Sequence, residues 1–87
     1  MVVSYSGSGT VDDPIRILGV STNYDAVQAE YQYLQKRFGV RNRDWTLVRQ
    51  ALLKTSAGRM NDLMVVRQAD GRQVEIRFDV TEYFGKW

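Results

Sequence analysis

Apolar residues recur at Tyr24, Val27, Tyr31, Leu34 and Phe38, in steps of three and four that set all five on one face of a helix. Thr22 and Asn23 are both good N-caps. Asp25 suits the positive end of the helix, Lys36 and Arg37 suit the negative end, and Gly39 is the expected stop. The pattern predicts a helix over 24–38. It leaves Gln28, Glu30, Gln32 and Gln35 off the apolar stripe, and makes Tyr33 a half-exposed surface tyrosine.

The period changes further along. Val74, Ile76, Phe78 and Val80 alternate with Gln73, Glu75, Arg77 and Asp79, the signature of a strand with one buried face. Residues 60–68 and 72–80 read as strands joined by Ala69-Asp70-Gly71, which suits a type I turn closed by a left-handed glycine. That loop fixes the register. Val66 should oppose Val74, Met64 should oppose Ile76, and Asp62 should oppose Phe78. The helix is then expected over Met64, Val66, Val74, Ile76, Phe78 and Val80, with Leu63, Val65, Arg67, Glu75 and Arg77 on the other face. Asp62 falls on the core side and needs a partner. Arg49 or Arg59 would supply a salt bridge, and an active carboxylate is the competing reading.

Two segments take more arguing. Asp13-Pro14 is a turn signal, and Ile15–Val20 reads as a short strand. Residues 45–54 fit a helix by composition. Read as a strand, Trp45, Leu47, Ala51 and Leu53 share a face, with Arg49 the exception. A two-stranded hairpin alone is marginal, so a strand is the reading adopted. The Ser-Gly-Ser-Gly-Thr run at 6–10 has little side-chain surface to bury, so residues 1–13 read as a flexible lead-in to a single domain over 14–87. Asp79 or Thr81 would cap a last helical turn over 82–84. Tyr83, Phe84 and Trp87 are expected to cover a sheet edge or the second face. The fold class is α+β, with one long helix on a three- to four-stranded antiparallel sheet in the order β-α-β-β-β, plus that turn.

Composition narrows the chemistry. The 87 residues include no cysteine and no histidine. The first absence favours a reducing cytoplasm. Together they exclude Cys/His zinc sites and the Ser-His-Asp and Cys-His mechanisms for this chain acting alone. No metal and no cofactor are expected. No apolar run approaches the ~20 residues that span a bilayer, and the N-terminus lacks the pattern of a signal peptide, so no membrane partner is expected. Net charge is +2, yet residues 36–77 carry ten of the twelve cations. Nine of those twelve are Arg, which suits bidentate pairing with carboxylate or phosphate. A solvated surface with local ion pairs accounts for this, and an anion-binding face is the sharper reading.

Three function classes follow. A non-enzymatic protein-binding module, of the inhibitor or immunity type found in bacteria and phages, would use Leu63 and Val65 rimmed by Arg67, Arg72 and Arg77, with Tyr83, Phe84 and Trp87 alongside. Aromatics and Arg are enriched at interface cores. Its partner would be another protein or a second copy of the chain. A basic nucleic-acid-binding domain is the first alternative. The order of helix, three antiparallel strands and helical turn over 24–87 resembles the double-stranded RNA-binding domain in topology, although residues 81–87 carry a single Lys where that family has a basic cluster. A small histidine-free nuclease, drawing on Lys54, Arg49, Arg59, Arg67, Arg77, Tyr83 and Glu75, is the second alternative. No catalytic residue stands out from the pattern.

Overall fold

The computed structural model describes residues 3–84. Its elements are β1 (Ser4–Ser6), β2 (Ile15–Leu18), α1 (Asn23–Phe38), β3 (Trp45–Lys54), β4 (Met60–Gln68) and β5 (Gln73–Asp79). They form one sheet in the order β1-β2-β5-β4-β3 with a single helix. The class is α+β, as the alternating patterns predict.

Local chemistry sets the element ends. Thr22 Oγ1 accepts from the Asp25 amide at 3.1 Å, capping α1. Gly39 ends the helix at φ 106, its amide donating to the Gln35 carbonyl. The Gly39 carbonyl in turn accepts from Trp45 Nε1 at 2.8 Å, tying the helix end to the first residue of β3. The β4–β5 hairpin has the expected register: Asp62 faces Phe78, Met64 faces Ile76 and Val66 faces Val74. Gly71 takes the left-handed conformation at φ 90. Residues 45–54 are a strand, and Val80–Phe84 close one helical turn, with the Phe84 amide donating to the Val80 carbonyl.

The sheet is larger and more mixed than expected. Ser4–Ser6 pairs antiparallel with β2, so the ordered domain begins inside the segment read as a flexible lead-in. A three-residue strand with a serine at each end is too short to show an alternation. β2 then runs parallel to β5, with Ile15 beside Phe78. The crossover between these parallel neighbours carries α1, β3 and β4. Before β2, the loop turns back against β5, where the Gly9 carbonyl accepts from the Arg77 amide at 2.8 Å.

The helix presents a different face from the one its large residues mark. Ala26, Ala29, Glu30 and Leu34 are buried, whereas Tyr24 is 66% exposed. Val27, Tyr31 and Phe38 are half-buried. Ala26, Ala29 and Glu30 are spaced three and one apart and Leu34 follows by four, so they share a stripe. Small alanines let the helix lie close to a sheet carrying Phe78, Ile15, Ile17 and Met64, all buried. The rest of the bulky stripe, Leu34 apart, then flanks the contact. Glu30, expected off the apolar face, is completely buried. Tyr33 is half-buried, but its ring turns inward, 5.1 Å from Tyr5 and edge-on to Phe78 at 5.6 Å.

A bulge divides β3. Leu47 pairs with Val66 and Arg49 with Val65, leaving Val48 as an extra residue. Beyond it every side chain changes face. Trp45 and Leu47 lie on the helix side, as do Gln50 and Leu52, while Ala51 and Leu53 join Leu63 on the opposite side. The single apolar face expected for Trp45, Leu47, Ala51 and Leu53 is thus two faces. Arg49, the exception in that reading, is where the change occurs.

Candidate functional site

The helix lies nearest β2 and leaves Gln50 and Leu52, on the helix side of the second half of β3, exposed. A cleft of about 470 Å³ opens there, lined by Asn23, Val27 and Glu30 from α1, Gln50 and Leu52 from β3, Asp62 from β4, and Val80 and Phe84 from the C-terminal segment. Its rim is apolar, with Leu52 48% and Phe84 53% exposed. Its floor is not.

Glu30 lies at that floor with no exposed surface, and no hydrogen-bond donor elsewhere among the described residues reaches either carboxyl oxygen. The group that faces it is Asp62, another carboxyl. Two carboxylates have no proton between them to make a hydrogen bond. The pair is bonded only when one member keeps its proton. Burial, then the hydrogen bond and the negative charge of Asp62, push the Glu30 carboxyl up to about 10. Glu30 is therefore the protonated partner at neutral pH. Asp62 also accepts from Gln50 Nε2, at 3.3 Å to Oδ1 and 3.0 Å to Oδ2. Gln50 thus takes the place that Arg49 or Arg59 was expected to fill. Arg49 faces away across the bulge, and Arg59 binds Asp79 instead, at 2.8 Å. Among the described residues no third Asp, Glu, His or Cys joins the pair to form a metal-ligand cluster.

The residues singled out from sequence are placed differently. Leu63 and Val65 do lie away from the helix, but keep only 7% and 9% of their surface. In register they are flanked by Ala51 and Arg77, and by Arg49 and Glu75; the Arg and Glu side chains carry methylene stems that cover apolar neighbours. Arg67 and Arg72 are exposed and Arg77 is half-buried. Tyr83 is a core residue whose hydroxyl donates to the Ile17 carbonyl. It seals the helix side of the sheet and not the second face. Phe84 reaches the rim of the cleft, and Trp87 lies outside the described residues. A larger depression of about 810 Å³, between Gly9–Val11 and β5, gathers Val65 and Arg77. It contains no buried polar group lacking a partner, so the smaller cleft is the candidate site.

Local ion pairs occupy several of the cations. Arg16 meets Glu82, Arg43 meets Asp44, Arg59 meets Asp79 and Arg72 meets Asp70. Arg41 lies over the Tyr31 ring. Arg49, Lys54, Arg67 and Arg77 make no such pair among the described residues. The signal that pointed to the cleft was present in the alternation, which set Asp62 among core positions. Nothing in the helix pattern marked Glu30 as its partner.

No family model, curated protein or solved structure matches the chain. Among the described residues, no helix is long and apolar enough to cross a membrane.

Proposed function

We propose that this chain is a small non-enzymatic protein-binding module that takes an extended segment of a partner along the outer edge of β3. The observation that carries this reading is that edge. β3 is ten residues long and ends the sheet, and among the described residues no strand lies on its outer side, where only Arg41 forms a bridge to Trp45. An unpaired strand edge is a template for another strand. Beside it, exposed Leu52 and Phe84 open onto the cleft, which would receive a side chain of the added strand. At the other end of the sheet, β1 has only three residues and offers far less backbone.

This reading keeps the interaction module expected from sequence and moves its surface. Leu63 and Val65 have little area left to offer, whereas Phe84 still takes part. The cysteine-free composition suits a reducing cytoplasm as its setting.

The test is selection of binders from a library of random extended peptides, followed by hydrogen exchange on the complex. Outward-facing amides within residues 49–54 should become protected, and Leu52→Asp should abolish binding. Binders that leave β3 exchange unchanged and tolerate Leu52→Asp would overturn the proposal.

A further inference from the structure

The floor of the cleft is chemically unusual. An open apolar cleft normally ends on apolar atoms or on polar groups that already have partners. Here it ends on a fully buried carboxyl that receives no donor except through a proton shared with Asp62. Asp62 retains 7% of its surface, and Gln50 supplies one amide to it. Asp62 thus offers acceptor lone pairs towards the cavity, and the Glu30 oxygens are closed from solvent behind its lining, without a donor of their own. The other lining groups, Asn23, Val27, Leu52, Val80 and Phe84, carry no charge. Among the described lining residues, Glu30 and Asp62 are the titratable groups, so no cation of the chain competes for the site.

We infer that the Glu30–Asp62 pair is a receptor for an alkylammonium or guanidinium group, presented by a lysine or arginine side chain of the docked segment. The apolar walls suit the methylene stem of such a side chain. The paired carboxyls suit its charged head, which brings several donors to oxygens that lack them. In the free protein a proton holds the two carboxyls together. When the cation enters, it takes over that role, and the Glu30 proton leaves to solvent. Binding is then coupled to release of up to one proton, and the buried pair becomes a buried ion triad with net charge −1. The side-chain source rests on the strand-docking reading. The cation site itself does not.

The experiment uses n-butylammonium as the probe, titrated into the full chain at neutral pH while the carbon resonance of the Glu30 side-chain carboxyl is followed. That resonance should move from its protonated to its ionised position on binding, with a dissociation constant on the order of 1 mM for so small a ligand. Affinity should rise by up to about tenfold per pH unit between roughly pH 6 and 9, because one proton is released. Glu30→Gln, which keeps the shape and removes the charge, should lose both the binding and its pH dependence. A Glu30 resonance unmoved by saturating probe overturns the inference, as does equal binding by Glu30→Gln. Peptides selected for binding on β3 provide the second arm. Enrichment of Lys or Arg at one position supports the inference. Selected peptides that depend on Leu52 but show no such enrichment leave strand docking standing and remove the cation receptor. Probe binding at Glu30 with no peptide binder has the opposite meaning: the cation site stands and strand docking fails.

Discussion

Gln50 donates through Nε2 to both carboxyl oxygens of Asp62, on the neighbouring strand, and it can do so because the bulge at Val48 has turned its side chain to the helix side of the sheet. Without the bulge, regular alternation through Val48 would point Arg49 at the core and Gln50 away from it. Gln50→Leu keeps the length and removes the donor. It should cost about 1 kcal/mol in urea unfolding, at the low end for a bond to a charged group because Gln50 is exposed. A variant as stable as the parent would show that Asp62 is satisfied some other way.

Glu30 makes stability depend on pH in an uncommon direction. A carboxyl held at about 10 in the folded chain and near its ordinary value when unfolded binds more protons in the folded state between those two limits. Unfolding free energy therefore falls as pH rises from about 5 towards 10, by up to ~1.4 kcal/mol per pH unit. Glu30→Gln should flatten that part of the profile and be more stable than the parent by a few kcal/mol at about pH 8. Urea midpoints across this range provide the check, and a flat parental profile contradicts the assignment.

Asp79 works in the acid range. Burial raises its carboxyl, but the Thr81 hydroxyl and amide and the Arg59 guanidinium outweigh this and hold it below the usual carboxylate range. The stabilisation is present above the unfolded value and is lost as pH falls through the depressed one. Asp79→Ala strands Thr81 and frees Arg59, which pins the β3–β4 loop. A loss of about 2 kcal/mol at neutral pH is expected, with a shallower fall in stability on acidification.

Gly9 holds a crowded backbone position in the N-terminal loop. It is buried, its φ is 90, and a Cβ there would sit 3.2 Å from Ile15 and 3.3 Å from Ile76. Gly9→Ala should cost about 1–3 kcal/mol through strain and overpacking. Increased amide exchange at Arg77, whose amide donates to the Gly9 carbonyl, would locate the damage. Unchanged exchange would mean that the loop does not depend on this contact.

Much of the fold was legible because two periods are clean. The hairpin register followed from Val74, Ile76, Phe78 and Val80 and a three-residue loop. The choice of strand for 45–54 followed from the need for a third strand. The helix was found, but its buried side was misjudged, because Tyr24, Val27, Tyr31, Leu34 and Phe38 outweigh Ala26 and Ala29 in any hydrophobic count. Close approach to a sheet is a matter of size as well as polarity, and alanine wins where the opposing residues are large. Glu30 was missed for the same reason. Its neighbour across the interface, Asp62, could be placed, because the alternation in β5 and the register set by the loop put it opposite Phe78. The parallel pairing of β2 with β5 left no local trace.

That pairing has a consequence for how the molecule is made. Ile15 and Phe78 are adjacent in the sheet but lie 63 positions apart in the sequence. A growing polypeptide can wind α1 and zip β3 to β4 early, from short-range contacts. It cannot seat β2 against β5 until residues 73–79 have left the ribosome. Until then, Ile15 and Ile17 lack the β5 neighbours that bury them, and closing so large a loop makes this the slow step. A chain cut short before residue 73 should remain open, exposing the apolar surface that β5 would have covered.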